Sequence, residues 1–311
     1  MYYQINILNG MSFSEIKRHI ARTLLYYEIF DHPLSKDELF YLFPQNSLKA
    51  DRLYTTLNEL TDRGSLITSH GYYSLLNGKD LAKIRLEREH IARRRFIIAK
   101  LVAHIIKRFP FVRAIFISGD LSKGVANPKS DIDYVIVTAP NRLWICRTLL
   151  VLFKKVFLLN QKKYFCLNYY VDAENLTLDD HNYFTATEIA HLKPLYNLEF
   201  YLKYLDANTW IKNYFPNYQN SAFKLYEGNN RPSFIQKVLE LFFFGSWVDT
   251  LDTFLMTSMI KIWKKRYPQY DNATRERIFR CSKHESRAFV GNFADKVLSL
   301  YQQKLTEKNL L

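Results

Sequence analysis

Residues 115–138, IFISGDLSKGVANPKSDIDYVIVT, constrain this chain more than any other stretch. An apolar run ends in Ser118-Gly119-Asp120. A short polar loop with Gly124 and Pro128 follows, and Asp131-Ile132-Asp133 opens a second apolar run, Tyr134-Val135-Ile136-Val137. Short apolar runs bounded by Gly, Pro and Asp read as strands. Residues two apart on a strand share a face, so Asp131 and Asp133 are expected together at the mouth of the second strand. Paired carboxylates supply hard oxygen ligands for Mg²⁺ (or Mn²⁺), with substrate phosphates completing the shell. Gly119 permits a turn whose bare backbone N–H groups approach such phosphates. The combination points to phosphoryl chemistry on a nucleoside triphosphate.

The order strand, Ser-Gly, loop, acidic pair, strand resembles the nucleotidyltransferase-fold (polymerase-beta-like) superfamily. That pattern is a glycine followed by Gly or Ser and, a short loop later, Asp-hydrophobic-Asp/Glu. Here the matching residues are Gly119-Asp120 and Ser130-Asp131-Ile132-Asp133-Tyr134. The resemblance implies an Mg²⁺-dependent enzyme that moves a nucleoside monophosphate from an NTP to an acceptor hydroxyl. The acceptor would be a protein side chain, a small molecule or an RNA end. Asp131 and Asp133 would hold the metal, and Ser118, Gly119, Asp120, Ser122, Lys123 and Ser130 would form the nucleotide-binding set. Within it Ser122 would open a short helix adding N–H groups to the anion site, and Lys123 and Lys129 would contact phosphates.

Two departures from the pattern bear on activity. Asp120 stands where Gly or Ser is usual, and its charge repels a triphosphate unless a metal or a lysine such as Lys123 neutralises it. Active relatives also carry a third acid on a later strand. The matching strand here is Tyr164–Val171, with Phe165, Leu167, Tyr169 and Val171 on one face and Asn168 on the other. Asn168 is therefore the third catalytic position, and an amide cannot act as a base at neutral pH. Asp172 and Glu174, just beyond, are the alternative acids. A weak or inactive nucleotide-binding module, serving as a sensor or docking protein, thus stays open beside the transferase.

Residues 14–76 carry a pattern of their own. Ser14 is a candidate cap for a helix reaching about Phe30, and Asp31-His32-Pro33 breaks it. Ser35 with Glu38 forms a capping box for a second helix ending at Pro44. A third spans roughly 48–63 and stops at Gly64. Then 65–68 and 72–75 flank His70-Gly71 as a hairpin. Three helices and a two-stranded wing describe a winged helix-turn-helix, a module that often places its third helix in the DNA major groove. Here that helix offers Lys49, Asp51, Arg52, Thr55, Asn58, Glu59, Asp62 and Arg63, with acid and base in balance, whereas phosphate contact calls for surplus positive charge. A docking role is preferred over a DNA-binding regulator.

The expected class is therefore α+β. Residues 1–80 are winged-helix-like, and 81–180 are a nucleotidyltransferase α/β core with a small mixed sheet and a long basic entry helix. Residues 181–311 form a helical region, strongest at 181–205, 233–264 and 283–306, with the longest loop at 218–232. Beyond the core block, Phe30-Asp31-His32-Pro33-Leu34, Phe165-Cys166-Leu167-Asn168-Tyr169, Asn208-Thr209-Trp210 and Pro216-Asn217 extend the resemblance. They are similar to a bacterial subgroup that joins these three parts, and the likeness names no substrate.

Of the 311 residues, 48% are apolar, which argues against extended disorder. Cys146, Cys166 and Cys281 form no metal-binding pair and suit a reduced, cytoplasmic setting. The N-terminus shows no signal-peptide pattern. The apolar stretch 238–263 is interrupted by Glu240, Asp249 and Asp252, so no membrane span is expected and a buried or interfacial helix is read instead. The net charge of +14 is concentrated in part in helix 83–108, which carries nine Lys and Arg against Glu87 and Glu89. Its basic face is read as solvated, with nucleic acid as a possible partner.

Overall fold

The computed structural model describes residues 11–45, 48–76, 78–219, 226, 228, 230–287 and 292–310. The signal-peptide reading and part of the loop expected at 218–232 lie outside them. The fold mixes helices with two small sheets and divides into two compact units. No described helix is long and apolar enough to cross a membrane.

The first unit takes the described residues up to Glu87, together with 210–219 and those from Asp295 onward. Helix α1 (Phe13–Glu28) starts at Ser12, not at the expected Ser14. The Ser12 Oγ accepts from the Glu15 N–H, and the Glu15 carboxylate accepts the Ser12 N–H at 2.7 Å. That reciprocal box satisfies two donors that Ser14, already inside the first turn, would leave unpaired. Strand β1 (Leu34–Ser35) and helix α2 (Lys36–Tyr41) follow, with the Ser35–Glu38 box in place. Helix α3 (Ala50–Asp62) and the hairpin of β2 (Ile67–Ser69) and β3 (Tyr72–Ser74) complete an antiparallel sheet in the order β1-β3-β2. Helix α4 (Leu81–Ile106) begins here. Its Arg85 is buried, grips both oxygens of Glu38 at 2.7 and 2.8 Å, and stacks 4.1 Å from the Tyr72 ring centre.

The second unit is built on a five-stranded sheet ordered β7-β4-β5-β6-β8. Strand β4 (Val112–Ser118) leads through the short helix α5 (Gly119–Ser122) and a loop to β5 (Asp133–Thr138). Helix α6 (Leu143–Phe157) crosses over to β6 (Cys166–Asp172), which pairs parallel to β5, the one parallel pair among the described strands, as a parallel connection requires. Ile115, Ile117, Ile136, Trp144, Leu150 and Tyr170 are fully buried in the core of this layer. Helix α6 lacks a local side-chain cap, and the Asp252 carboxylate accepts the Ile145 N–H instead at 2.9 Å.

Beyond residue 180 the chain is less helical than expected. Helix α7 (Tyr183–His191) is followed by β7 (Lys193–Tyr196), antiparallel to β4, and then by α8 (Leu198–Ala207). Pro194 hides this strand in the sequence, and the edge position is where a sheet tolerates proline. Further on come α9 (Phe234–Glu240), α10 (Trp247–Arg266) and α11 (Asn272–Ile278). The segment expected to be helical from 283 opens with β8 (Glu285–Arg287), antiparallel to β6, before α12 (Phe293–Glu307). Two of the five strands therefore come from the region read as all-helical.

Candidate functional site

The last register pair of the β4–β5 ladder sets Ser118 opposite Asp133. The chain then turns at Gly119 with φ +67°, and a Cβ there would lie 2.9 Å from Asp133 Oδ2. Glycine is required twice over, by the left-handed backbone and by the approach of the carboxylate. Ser122 does not open a helix as expected. It ends α5, is buried, and donates its hydroxyl to the Gly119 carbonyl at 2.8 Å, which ties the turn together.

Asp133 has its carboxyl pushed up from 3.8 to about 6. Burial is the main cause, and the charges of Asp131, Glu188 and Asp120 add to it, against a hydrogen bond from the Cys166 thiol. Asp131 lies in the loop just before β5 and not on the strand as expected, and its charge acts on Asp133 within a wider group of carboxylates. Glu188, on α7, arrives because β7 pairs with β4 and brings the end of α7 beside the Gly119 turn. Its carboxylate accepts from the Gly119 N–H at 3.4 Å and from Lys123 Nζ at 2.6 Å. Lys123 therefore pairs with Glu188 and not with Asp120.

Asp120 is matched by Arg88 at 3.3 Å and by the Asn127 amide at 3.4 Å. Arg95, also from α4, donates to the carbonyls of Ser130 and Pro128. Ser130 accepts the Asn127 N–H at 2.9 Å and closes the loop, a structural part in place of a free binding hydroxyl. Arg88 and Arg95 are buried, so part of the basic face of α4 holds the 119–131 loop and is not solvated. Lys83, Arg93, Arg94 and Lys100 do face solvent.

Strand β6 pairs Cys166 with Asp133 at one end and Asp172 with Thr138 at the other. Asp172 is thus roughly 17 Å from the Asp133 end at about 3.3 Å per residue. It is buried there, accepting the N–H groups of Asn141 and Glu174 at 2.9 and 2.8 Å. Neither it nor Glu174 supplies a third acid. Asn168 lies at the correct end and donates its amide to Cys166 Sγ at 2.9 Å, forming a chain Asn168–Cys166–Asp133. The Cys166 thiol is pushed up by burial and by the Asp133 charge, so it is a neutral donor.

Among the described residues no group of three or more His, Cys, Asp and Glu forms a ready metal cage. Two carboxylates completed by phosphate oxygens are a donor set that Mg²⁺ commonly takes. The repulsion around Asp133 is of the kind a cation relieves. Sequence reasoning missed Glu188, Arg88 and Cys166. Arg88 carried a signal as one of a run of helical cations, and Cys166 only as a member of the 165–169 motif. Comparison of the chain with protein-family models, with curated proteins and with solved structures gave no match.

Proposed function

We propose that this protein is an Mg²⁺-dependent nucleotidyltransferase. The observation that carries the reading is the closure of the Gly119 turn on Asp133, with Asp131 and Glu188 adding negative charge and Lys123 beside them. Asp131 and Asp133 would hold the cation, which supplies charge neutralisation between the carboxylates and the triphosphate. The Gly119 N–H and Lys123 ammonium, which already converge on one carboxylate, are donors of the type that bind a phosphate. The acceptor hydroxyl attacks the α-phosphorus, the bond to the β-phosphate breaks, and pyrophosphate leaves. The hydroxyl proton passes to a carboxylate of the group, with Glu188 in the role for which Asn168 is unfit. Asp120, balanced by Arg88, presents less charge to the nucleotide than its position alone suggests.

The second reading, a nucleotide-binding module without transfer, is favoured by the neutral Asn168–Cys166 chain on Asp133. For the first unit, the order of its elements and its β1-β3-β2 sheet support a winged helix. The exposed residues of α3 and its C-cap are Asp51, Arg52, Thr55, Asn58, Asp62 and Arg63, and Arg63 pairs with Glu59 at 3.5 Å. A surface so balanced supports docking over DNA binding. RNA stays among the acceptor classes through the exposed cations of α4.

Incubation with each α-labelled NTP, Mg²⁺ or Mn²⁺, and acceptor pools of protein, metabolites and RNA tests transfer. Pyrophosphate release with labelled product, abolished in Asp131→Asn and Asp133→Asn, is the expected result. Nucleotide binding with no release from any pool would favour the second reading.

A further inference from the structure

Helix α9 is inside out. Two of its polar residues face the protein while Lys237 faces solvent: Gln236 is 1% exposed and donates to the Val112 carbonyl. Glu240 accepts the Phe111 N–H at 2.6 Å and pairs with Arg113 at 2.7 Å. Its apolar residues face outward, as do those of the turn into α10 other than Phe243. Phe234 is 80% exposed, Leu241 72%, Phe242 69%, Phe244 76% and Trp247 52%. A helix in water normally does the reverse, and contiguous apolar patches of this kind mark interaction surfaces.

Two neighbouring segments share the trait. Helix α4 exposes Ile97, Leu101 and Ile105 at helical spacing, and α6 with its end exposes Leu152, Val156, Phe157 and Leu159. All three border the same short stretch: Phe109 packs on Phe153 of α6, and Phe111 packs on Phe243 just after α9. The charge around them is predominantly positive. Residues 90–119 and 134–171 contain no Asp or Glu, yet they include Arg93, Arg94, Lys100, Lys154, Lys155 and Lys162. In the α9–α10 turn Glu240 is bound to Arg113 and Asp249 to Arg142.

We propose that this face docks the protein on an anionic bilayer surface. Exposed aromatic and aliphatic side chains among lysines and arginines suit insertion at the headgroup boundary. Each cation near such a surface contributes about 1 kcal/mol. The same charge opposes a second copy, because two cationic faces repel. The proposal stands independently of nucleotidyl transfer.

Co-sedimentation of the purified chain with phosphatidylcholine vesicles, with and without phosphatidylglycerol, tests it. The expected result is binding to the anionic vesicles, weakened by salt and reduced at least about tenfold in Phe242→Ser/Phe244→Ser, a loss of ~1.4 kcal/mol or more. These side chains are exposed, and an unchanged thermal melt of the variant checks its fold. No binding to anionic vesicles, or undiminished binding by the folded variant, overturns the proposal. A concentration-dependent oligomer that the double variant dissolves, without vesicle binding, would assign the face to self-association instead.

Discussion

Gly119 is where backbone, packing and chemistry meet. Gly119→Ala places a methyl group against Asp133 Oδ2 in a left-handed conformation that alone costs about 1–2 kcal/mol. Urea unfolding should show a loss of at least that size, together with lost nucleotide binding. Asp133 itself is costly to the fold. Its carboxyl is raised from 3.8 to about 6, so between those values the native state holds a proton that the unfolded chain has released. Stability therefore falls as pH rises through that window, and the cost is fully present above it. At about 1.36 kcal/mol per unit the cost is up to ~3 kcal/mol. Asp133→Asn should then raise metal-free stability at pH 8 by about 1–3 kcal/mol and flatten the fall between pH 4 and 6. Denaturation in chelator at pH 5 and pH 8 checks both, and a destabilised variant would contradict the account. Asp131 was legible as a neighbour of Asp133 because one residue separates them, although β5 begins only at Asp133 and strand parity does not reach Asp131 in the loop before it. Glu188 was not, because it arrives through the pairing of β7 with β4 and the sequence around it, Thr185-Ala186-Thr187-Glu188-Ile189, has no distinguishing pattern.

At the scale of elements, caps and strands differ in how openly they are written. Ser35 with Glu38 and the stop at Gly64 were legible, since both act within a few residues. The cap of α6 was hidden, because Asp252 reaches it from α10. Removing that carboxylate in Asp252→Ala should cost about 1 kcal/mol through the unpaired Ile145 N–H, whereas Asp252→Asn keeps an acceptor. Burial raises the Asp252 carboxyl to about 6, so Asn should also lessen the decline in stability as pH rises from 4 to 6. Chemical denaturation of the two variants across that range separates the effects. Strands β7 and β8 escaped the sequence reading because edge strands of three or four residues carry too few alternations to register. Asn168, read as the third catalytic position, sits at the right end of β6 but spends its amide on Cys166. Cys166→Ser preserves a donor to Asp133 and should leave nucleotide binding within about twofold of wild type. Cys166→Ala removes it and should raise the Asp133 carboxyl further, measurable by NMR titration.

At the scale of the whole molecule, the cations behind the net charge of +14 are put to different uses. Arg85, Arg88 and Arg95 turn inward to hold Glu38, Asp120 and the loop carbonyls. Exposed cations on α4 and α6 border the apolar face. Those of α3 are offset by acids, so duplex DNA should bind no better than to any basic protein, with a steep loss in salt and no preferred sequence. Gel-shift titration across salt concentrations checks this. Whether the Gly119–Asp133 block binds a metal-bound nucleotide is read by thermal unfolding with each NTP, with and without Mg²⁺ or Mn²⁺. Nucleotide at a hundred times its Kd should stabilise the chain by about 2.7 kcal/mol. The shift is expected only when metal is present, and it should be lost in Asp131→Ala and Asp133→Ala. No shift with any nucleotide, or a shift that survives both substitutions, would contradict a metal-bound nucleotide at this block.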